Sequence, residues 1–336
     1  MNRTIKIREA ARNFIIPNSR WLKIIGKGAL AFVSFLIINY YFGYISFLAN
    51  PIFALIMAVG CAFIPMRAGG LLVMVYVFVQ LTGLSGQVAI VALILLLISY
   101  GLSMFYGSGH MFNIDYIPIA LQVQLPYPIV VVSALFGKIN YVTSVICGGV
   151  LSFYLKVIRE NSLIFIEETQ DITVIDLISK RMIVNPMLYV YLIAITALFV
   201  IIVLVKDVNI RHAWIVAIAS GIFVEMVIML LGYIITGNIS KVPMLIIANV
   251  LAFAIGVAST YVYRDLDYER VEKVQFEDDD YLYFVTAIPK IELAKEEKRI
   301  TRFTDIGKGF HKAGKIEEEK PKETEDKKEK PDDGET

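Results

Sequence analysis

The chain is poor in the residues that soluble enzymes use for chemistry. It has two cysteines and three histidines in 336 residues. Cys61 and Cys147 lie inside apolar runs, as packing side chains do, and neither has metal-ligand spacing. His110, His212 and His311 are too dispersed for a recognisable metal motif. There is no phosphate-cradling Walker loop, no G-x-S-x-G, no H-E-x-x-H and no dinucleotide fingerprint. The sequence therefore points to no catalytic residue, cofactor or metal, and to no nucleic-acid partner. An enzyme of the soluble type is disfavoured, although an unusual intramembrane one is left open.

Charge is also scarce, but only in part of the chain. Met1 to Lys27 is basic, with seven Lys or Arg against Glu9 alone. Residues 28–263 are nearly free of charge, and residues 264–336 are dense in both signs. The net charge of +1 averages over this division. Hydrophobic residues make up 57% of the chain and the mean hydropathy is +0.65, above the range of a soluble domain. The composition predicts an all-α integral membrane protein in contact with the lipid bilayer, with a membrane domain over 28–263 and polar ends.

The first apolar run is longer than a signal-peptide core and reads as a retained helix. The segment before it, 1–27, reads as a positive-inside anchor. Alternatively, Ile5, Ile7, Ala10, Ala11 and Phe14 form one side of a short interfacial helix ahead of Pro17. Spans are predicted over 28–48, 51–66, 71–82, 87–106, 141–155, 187–205, 213–235 and 242–263, with a turn at Arg67–Gly70. The second and third fall short of the ~20 residues that cross a typical core. Residues 156–186 form a polar interval suited to the membrane surface. Gly148–Gly149, and Ala248, Ala252 and Gly256 at four-residue spacing, are faces for close helix packing.

Residues 109–138 break this pattern. The run is apolar from Ile117 to Phe136 but carries Pro118, Pro126 and Pro128, with Gln122 and Gln124 between them. Each proline removes a backbone donor, and hydrocarbon tolerates freed backbone groups only inside protein or beside water. The segment is thus a re-entrant hairpin or a proline-broken span, enclosed by other helices. Re-entry gives eight spans with both termini cytoplasmic and 156–186 external. Full crossing gives nine spans and an external tail. The lysine-rich, cysteine-free tail favours the first, in a bacterial plasma membrane.

Four polar residues within apolar stretches are candidates for function. Glu225, near the middle of 213–235, is costly there unless neutral or partnered. Ala217 and Gly221 share its helical face, which predicts contact with protein. It either relays protons or is a packing residue bonded across helices to a residue such as Asn249 or Asn39. Gln122 and Gln124 either line a polar path or satisfy carbonyls freed by Pro126 and Pro128. His110 and Asp115 read as an interfacial pair.

The tail, 264–307, begins as a continuation of the last helix through Lys273. An acidic cluster, Glu277–Asp280, then precedes Tyr281, Tyr283, Phe284 and Val285, a strand-like block. With no evident mate in the tail, this block is a candidate for binding a membrane or cytoplasmic protein. Residues 308–336 have the composition of disorder.

The stretches PIALQVQLPYPIVVVSALFG (118–137), CGGVLSFYLKVI (147–158) and DYERVEKVQFEDDDYLYFVTAIPKI (267–291) resemble those of an uncharacterised family of polytopic membrane proteins from Gram-positive anaerobes. The likeness covers roughly Pro51 to Ile291. It implies the architecture and a bacterial plasma membrane, and carries no activity and no catalytic residue. Two functions stay open at this point. One is a structural or assembly subunit docking a partner through its tail. The other is a small-molecule or ion transporter using the broken element and Glu225.

Overall fold

A computed structural model describes residues 18–106, 111–166, 178–208, 213–264, 272–277 and 282–287. The N-terminal segment 1–17, His110, Tyr281 and the tail beyond Ala287 lie outside the described residues, as do the acidic residues Glu167, Glu168, Asp171 and Asp176.

Four helices precede the broken element: α1 (Ser19–Phe42), α2 (Pro51–Phe63), α3 (Met66–Thr82) and α4 (Gly86–Tyr106). α1 begins nine residues ahead of the predicted span and ends six before its predicted end, at Phe42. The early start places Lys27 within the helix, where Nζ reaches the Ile64 carbonyl at 2.9 Å. A long lysine stem can follow an apolar helix while its amine finds a carbonyl. α2 opens with Pro51 at a position whose N–H would be unsatisfied in any case. Asn50 caps it, its side chain accepting from the Ile52 N–H at 2.9 Å.

The second predicted turn is displaced. Arg67–Gly70 are not a turn but the first residues of α3, and the chain breaks at Ile64–Pro65. Pro65 supplies no donor and biases Ile64 to an extended backbone, with ψ 153°. The glycines serve contact instead. A Cβ on Gly70 would fall on the Asp115 carboxylate, so only glycine lets these elements meet.

The broken element is two short helices, α5 (Phe112–Gln122) and α6 (Tyr127–Phe136). At 1.5 Å per residue each is about 15 Å long, half a bilayer core. α5 is enclosed, with all but Phe112 and Leu121 buried. A one-turn 3-10 segment (Ile139–Tyr141) leads into α7 (Val142–Glu160). α7 continues past the predicted end at Leu155, so Lys156 and Arg159 belong to the helix and not to a surface interval. A short helix α8 (Ser162–Ile166) and a π turn (Ser179–Ile183) follow. Then come α9 (Pro186–Lys206), α10 (Ala213–Ile235) and α11 (Val242–Arg264).

Among the described residues, six helical segments are long and apolar enough to cross a membrane: 20–42, 86–106, 139–160, 186–206, 213–235 and 239–260. α2, α3 and α6 are apolar but shorter. The outward surface is aliphatic, with Ile90, Leu93, Ile94, Leu97 and Ile98 of α4 and Ile246, Ile247 and Val250 of α11 all exposed. Apolar surface this extensive fits hydrocarbon rather than water. The chain is a multi-pass, membrane-embedded helical protein.

Small residues set the inner contacts. Gly148 lies against the Asn113 carbonyl and Gly149 against Leu192 and Ile195, so α7 packs closely on α5 and α9. Ala248 and Ala252 are fully buried, and a Cβ on Gly256 would come 2.8 Å from Val131 of α6.

The last helix is described as far as Arg264, residues 265–271 lie outside the described residues, and Lys273, the expected end of its continuation, belongs to a strand. Glu272–Glu277 form a strand β1 that pairs antiparallel with β2 (Leu282–Ala287), Val274 opposite Val285 and Phe276 opposite Tyr283. The strand-like block expected to lack a mate in the tail has one there.

Candidate functional site

The geometry of the broken element starts with its prolines. Pro126 has no N–H, so the Gln122 carbonyl four residues earlier loses its helical donor. Arg159 of α7 supplies one, donating from a guanidinium nitrogen at 2.7 Å. The Gln122 amide nitrogen donates to the Pro118 carbonyl at 3.0 Å and approaches the Ser152 carbonyl at 3.5 Å. Between the helices Gln124 has φ +61°, a left-handed conformation that reverses the chain.

Helix ends fix where this turn lies. Asn113, near the start of α5, donates to Ser144 near the start of α7 at 2.9 Å. At the end of α6, Lys206 Nζ donates to the carbonyls of Ala134 (2.9 Å), Leu135 (3.1 Å) and Gly137 (2.5 Å). A lysine there satisfies orphan carbonyls and complements the negative helix end. The start of α5 and the end of α6 both lie beside the start of α7, while the turn at 123–126 lies towards its far end.

At that far end the turn meets a cavity of about 430 Å³. Gln124, Pro126 and Tyr127 of the broken element border it. So do Lys156, Arg159 and Glu160 of α7, Tyr191 of α9, Tyr233 of α10 and Lys241 ahead of α11. Three cations and one carboxylate thus face a site whose inner wall is largely tyrosine and methionine.

Glu225 lies behind the tyrosines. It is fully buried, with Ala217 and Gly221 on the same inward face as their spacing predicts. Asn249, Tyr127, Tyr191 and Tyr233 are its polar neighbours. Neither carboxylate oxygen attains hydrogen-bond geometry with any of them, and both atoms of the Asn249 amide are likewise unpaired. Asn249 and Tyr127 are nonetheless close enough to act on Glu225 as hydrogen-bonding neighbours, with distances and angles short of a full bond.

The structure therefore brings Gln124, Tyr127 and the surroundings of Glu225 and Asn249 together, and directs the Gln122 amide to the Pro118 and Ser152 carbonyls rather than to those freed by Pro126 and Pro128. Asn39 stands apart. It accepts from Tyr76 at 2.5 Å, and Tyr76 and Gln80 tie α1, α3 and the 43–50 turn together. Tyr283, Phe284 and Val285 fall in β2.

Sequence reasoning missed a second buried carboxylate. Asp115 is 1% exposed and accepts a short hydrogen bond from the Tyr100 hydroxyl. It is an inner group of the bundle, and the expected pairing with His110 lies outside the described residues. Its signal was Gly70, which makes room for it. Lys156, Arg159 and Lys241 were also missed as a set, because 85 residues separate the first from the last. Comparison with protein-family models, curated proteins and solved structures gives no match for this chain.

Proposed function

We propose that the chain is a transporter of small solutes, with eight crossings, a re-entrant hairpin formed by α5 and α6, and both termini on the cytoplasmic side of a bacterial plasma membrane. The observation that carries the reading is the cavity at the hairpin turn, walled by tyrosines that also surround Glu225. Broken helices that meet a solute cavity within a bundle are a recurrent transporter arrangement. The contacts of Asn113 with Ser144 and of Lys206 with the end of α6 support re-entry. The seven basic residues ahead of Gly28 support a cytoplasmic N-terminus.

A buried carboxyl group beside Asn249 and Tyr127 is suited to taking up and releasing a proton. The reading gives Glu225 that role and the tyrosines the role of separating it from the solute. The alternative, an assembly subunit docking through Tyr281, Tyr283, Phe284 and Val285, rested in part on a strand without a mate. The pairing of β1 with β2 removes that ground and leaves the other, the scarcity of polar groups within the spans.

The test uses proteoliposomes loaded with a pH-reporting dye and offered cationic, zwitterionic and anionic small solutes in turn. At least one class should change the lumenal pH, and Glu225→Gln should abolish the change while folding normally. No pH change with any class, together with no uptake of the labelled solutes, would contradict transport.

A further inference from the structure

The lining of the cavity at the hairpin turn carries more information than its existence. Its charges are Lys156, Arg159, Lys241 and Glu160. Lys156 experiences Lys241 and Arg159 as repulsive neighbours and Glu160 as an attractive one. Helix ends do not set the sign of the site. Three N-termini, of α6, α9 and α11, and three C-termini, of α5, α7 and α10, meet around it, and their dipoles oppose one another. The side chains leave an excess of positive charge.

Arg159 is held in place. One guanidinium nitrogen is on the Gln122 carbonyl and the group lies 4.8 Å over the ring of Tyr41. A guanidinium has five N–H donors in a fixed fork, so these contacts leave donors to offer. Lys156 lies 4.8 Å over the Phe153 ring. Below this rim the wall turns apolar, with Met187, Met229 and Met244 among tyrosines. A volume of about 430 Å³ lies within the range of small-molecule sites.

From this we infer that the cavity binds a small amphipathic anion. A carboxylate or phosphate head lies between Lys156, Arg159 and Lys241, and an apolar body lies against the methionines and tyrosines. An oxyanion relieves the mutual repulsion of the cations, and clustered basic side chains on apolar walls suit a head and body of this kind. The inference names the solute class for the transport reading, yet binding stands or falls without transport. The same chemistry is offered by a soluble organic anion and by the head group of an anionic lipid.

The experiment measures binding to the purified full-length chain in neutral detergent by calorimetry and thermal stability. The probes are benzoate and phenyl phosphate, with benzylamine and benzyl alcohol as the cationic and neutral counterparts. At least one anion should bind and raise the melting temperature, and the other two should not. Lys156→Gln and Lys241→Gln should each weaken the anion by about tenfold. Glu160→Gln, at an exposed position, should strengthen it. That gain cannot come from misfolding and keeps the test decisive if a lysine variant is unstable.

In a second arm, nanodiscs of phosphatidylcholine with added phosphatidylglycerol are analysed by native mass spectrometry. Phosphatidylglycerol retained by the wild type and lost in the double lysine variant, without response to soluble anions, assigns the oxyanion site to a lipid head. Equal response to benzylamine and benzoate, or anion binding unchanged by both lysine variants and by Glu160→Gln, overturns the inference. So does the absence of binding in both arms. Anion binding without vesicle uptake would remove the transport reading and leave this site standing.

Discussion

Asp115 and Gly70 show how single residues decide the interior. A carboxylate among apolar helices is tolerated only with a polar partner and without competition for space. Tyr100 provides the partner and the missing side chain of Gly70 provides the space. Gly70→Ala is therefore expected to cost about 1–3 kcal/mol, the usual penalty for an extra methyl in a filled interior. Gly101→Ala, where nothing lies within 4 Å of the added carbon, is expected to be neutral or to gain up to about 1 kcal/mol from helix propensity. Thermal unfolding in detergent separates the two; equal melting points would show that the Asp115 contact is not tight. Glu225 was legible in the sequence because it is the one acid deep in a long apolar run. Asp115 was not, because its position near a chain break resembles an interfacial residue, and only the fold shows what encloses it.

Among the elements, the broken segment is the one whose parts explain each other. Pro126 and Pro128 stand where its second helix starts, Arg159 replaces a donor that Pro126 removes, and Lys206 closes the other end. The segment and its prolines were plain in the sequence. The residues that repair its backbone were not, since they lie 37 and about 70 positions away along the chain. Packing faces behaved differently. Gly148–Gly149 and the Ala248, Ala252, Gly256 series were readable because helical periodicity is local, whereas the boundary at Pro65 was obscured by a glycine pair that resembled a turn. The left-handed backbone at Gln124 makes a further prediction. A non-glycine residue in that region costs about 1–2 kcal/mol. Gln124→Gly should raise stability by up to that amount, and Gln124→Val should lower it, because a β-branched residue is disfavoured at positive φ. Loss of stability in the glycine variant would show that the Gln124 side chain contributes more than its backbone costs.

Among the described helices, apolar segments enclose the broken element, which the proposed reading takes to re-enter without crossing. The polar residues converge where that element turns. Cations from α7 and from the segment before α11, tyrosines from three elements and Glu225 gather at the turn, while the start of α5 and the end of α6 lie at the opposite end of the hairpin. A hairpin that enters from one face and meets water from the opposite face is the central claim. It can be tested with single cysteines at Gln124, Thr169 and Lys298, in a background where Cys61 and Cys147 are alanine, and with a membrane-impermeant thiol reagent applied to intact and then opened cells. The account predicts that the Gln124 cysteine reacts together with Thr169, from the face opposite Lys298. Reaction of Gln124 together with Lys298, and not with Thr169, would contradict it.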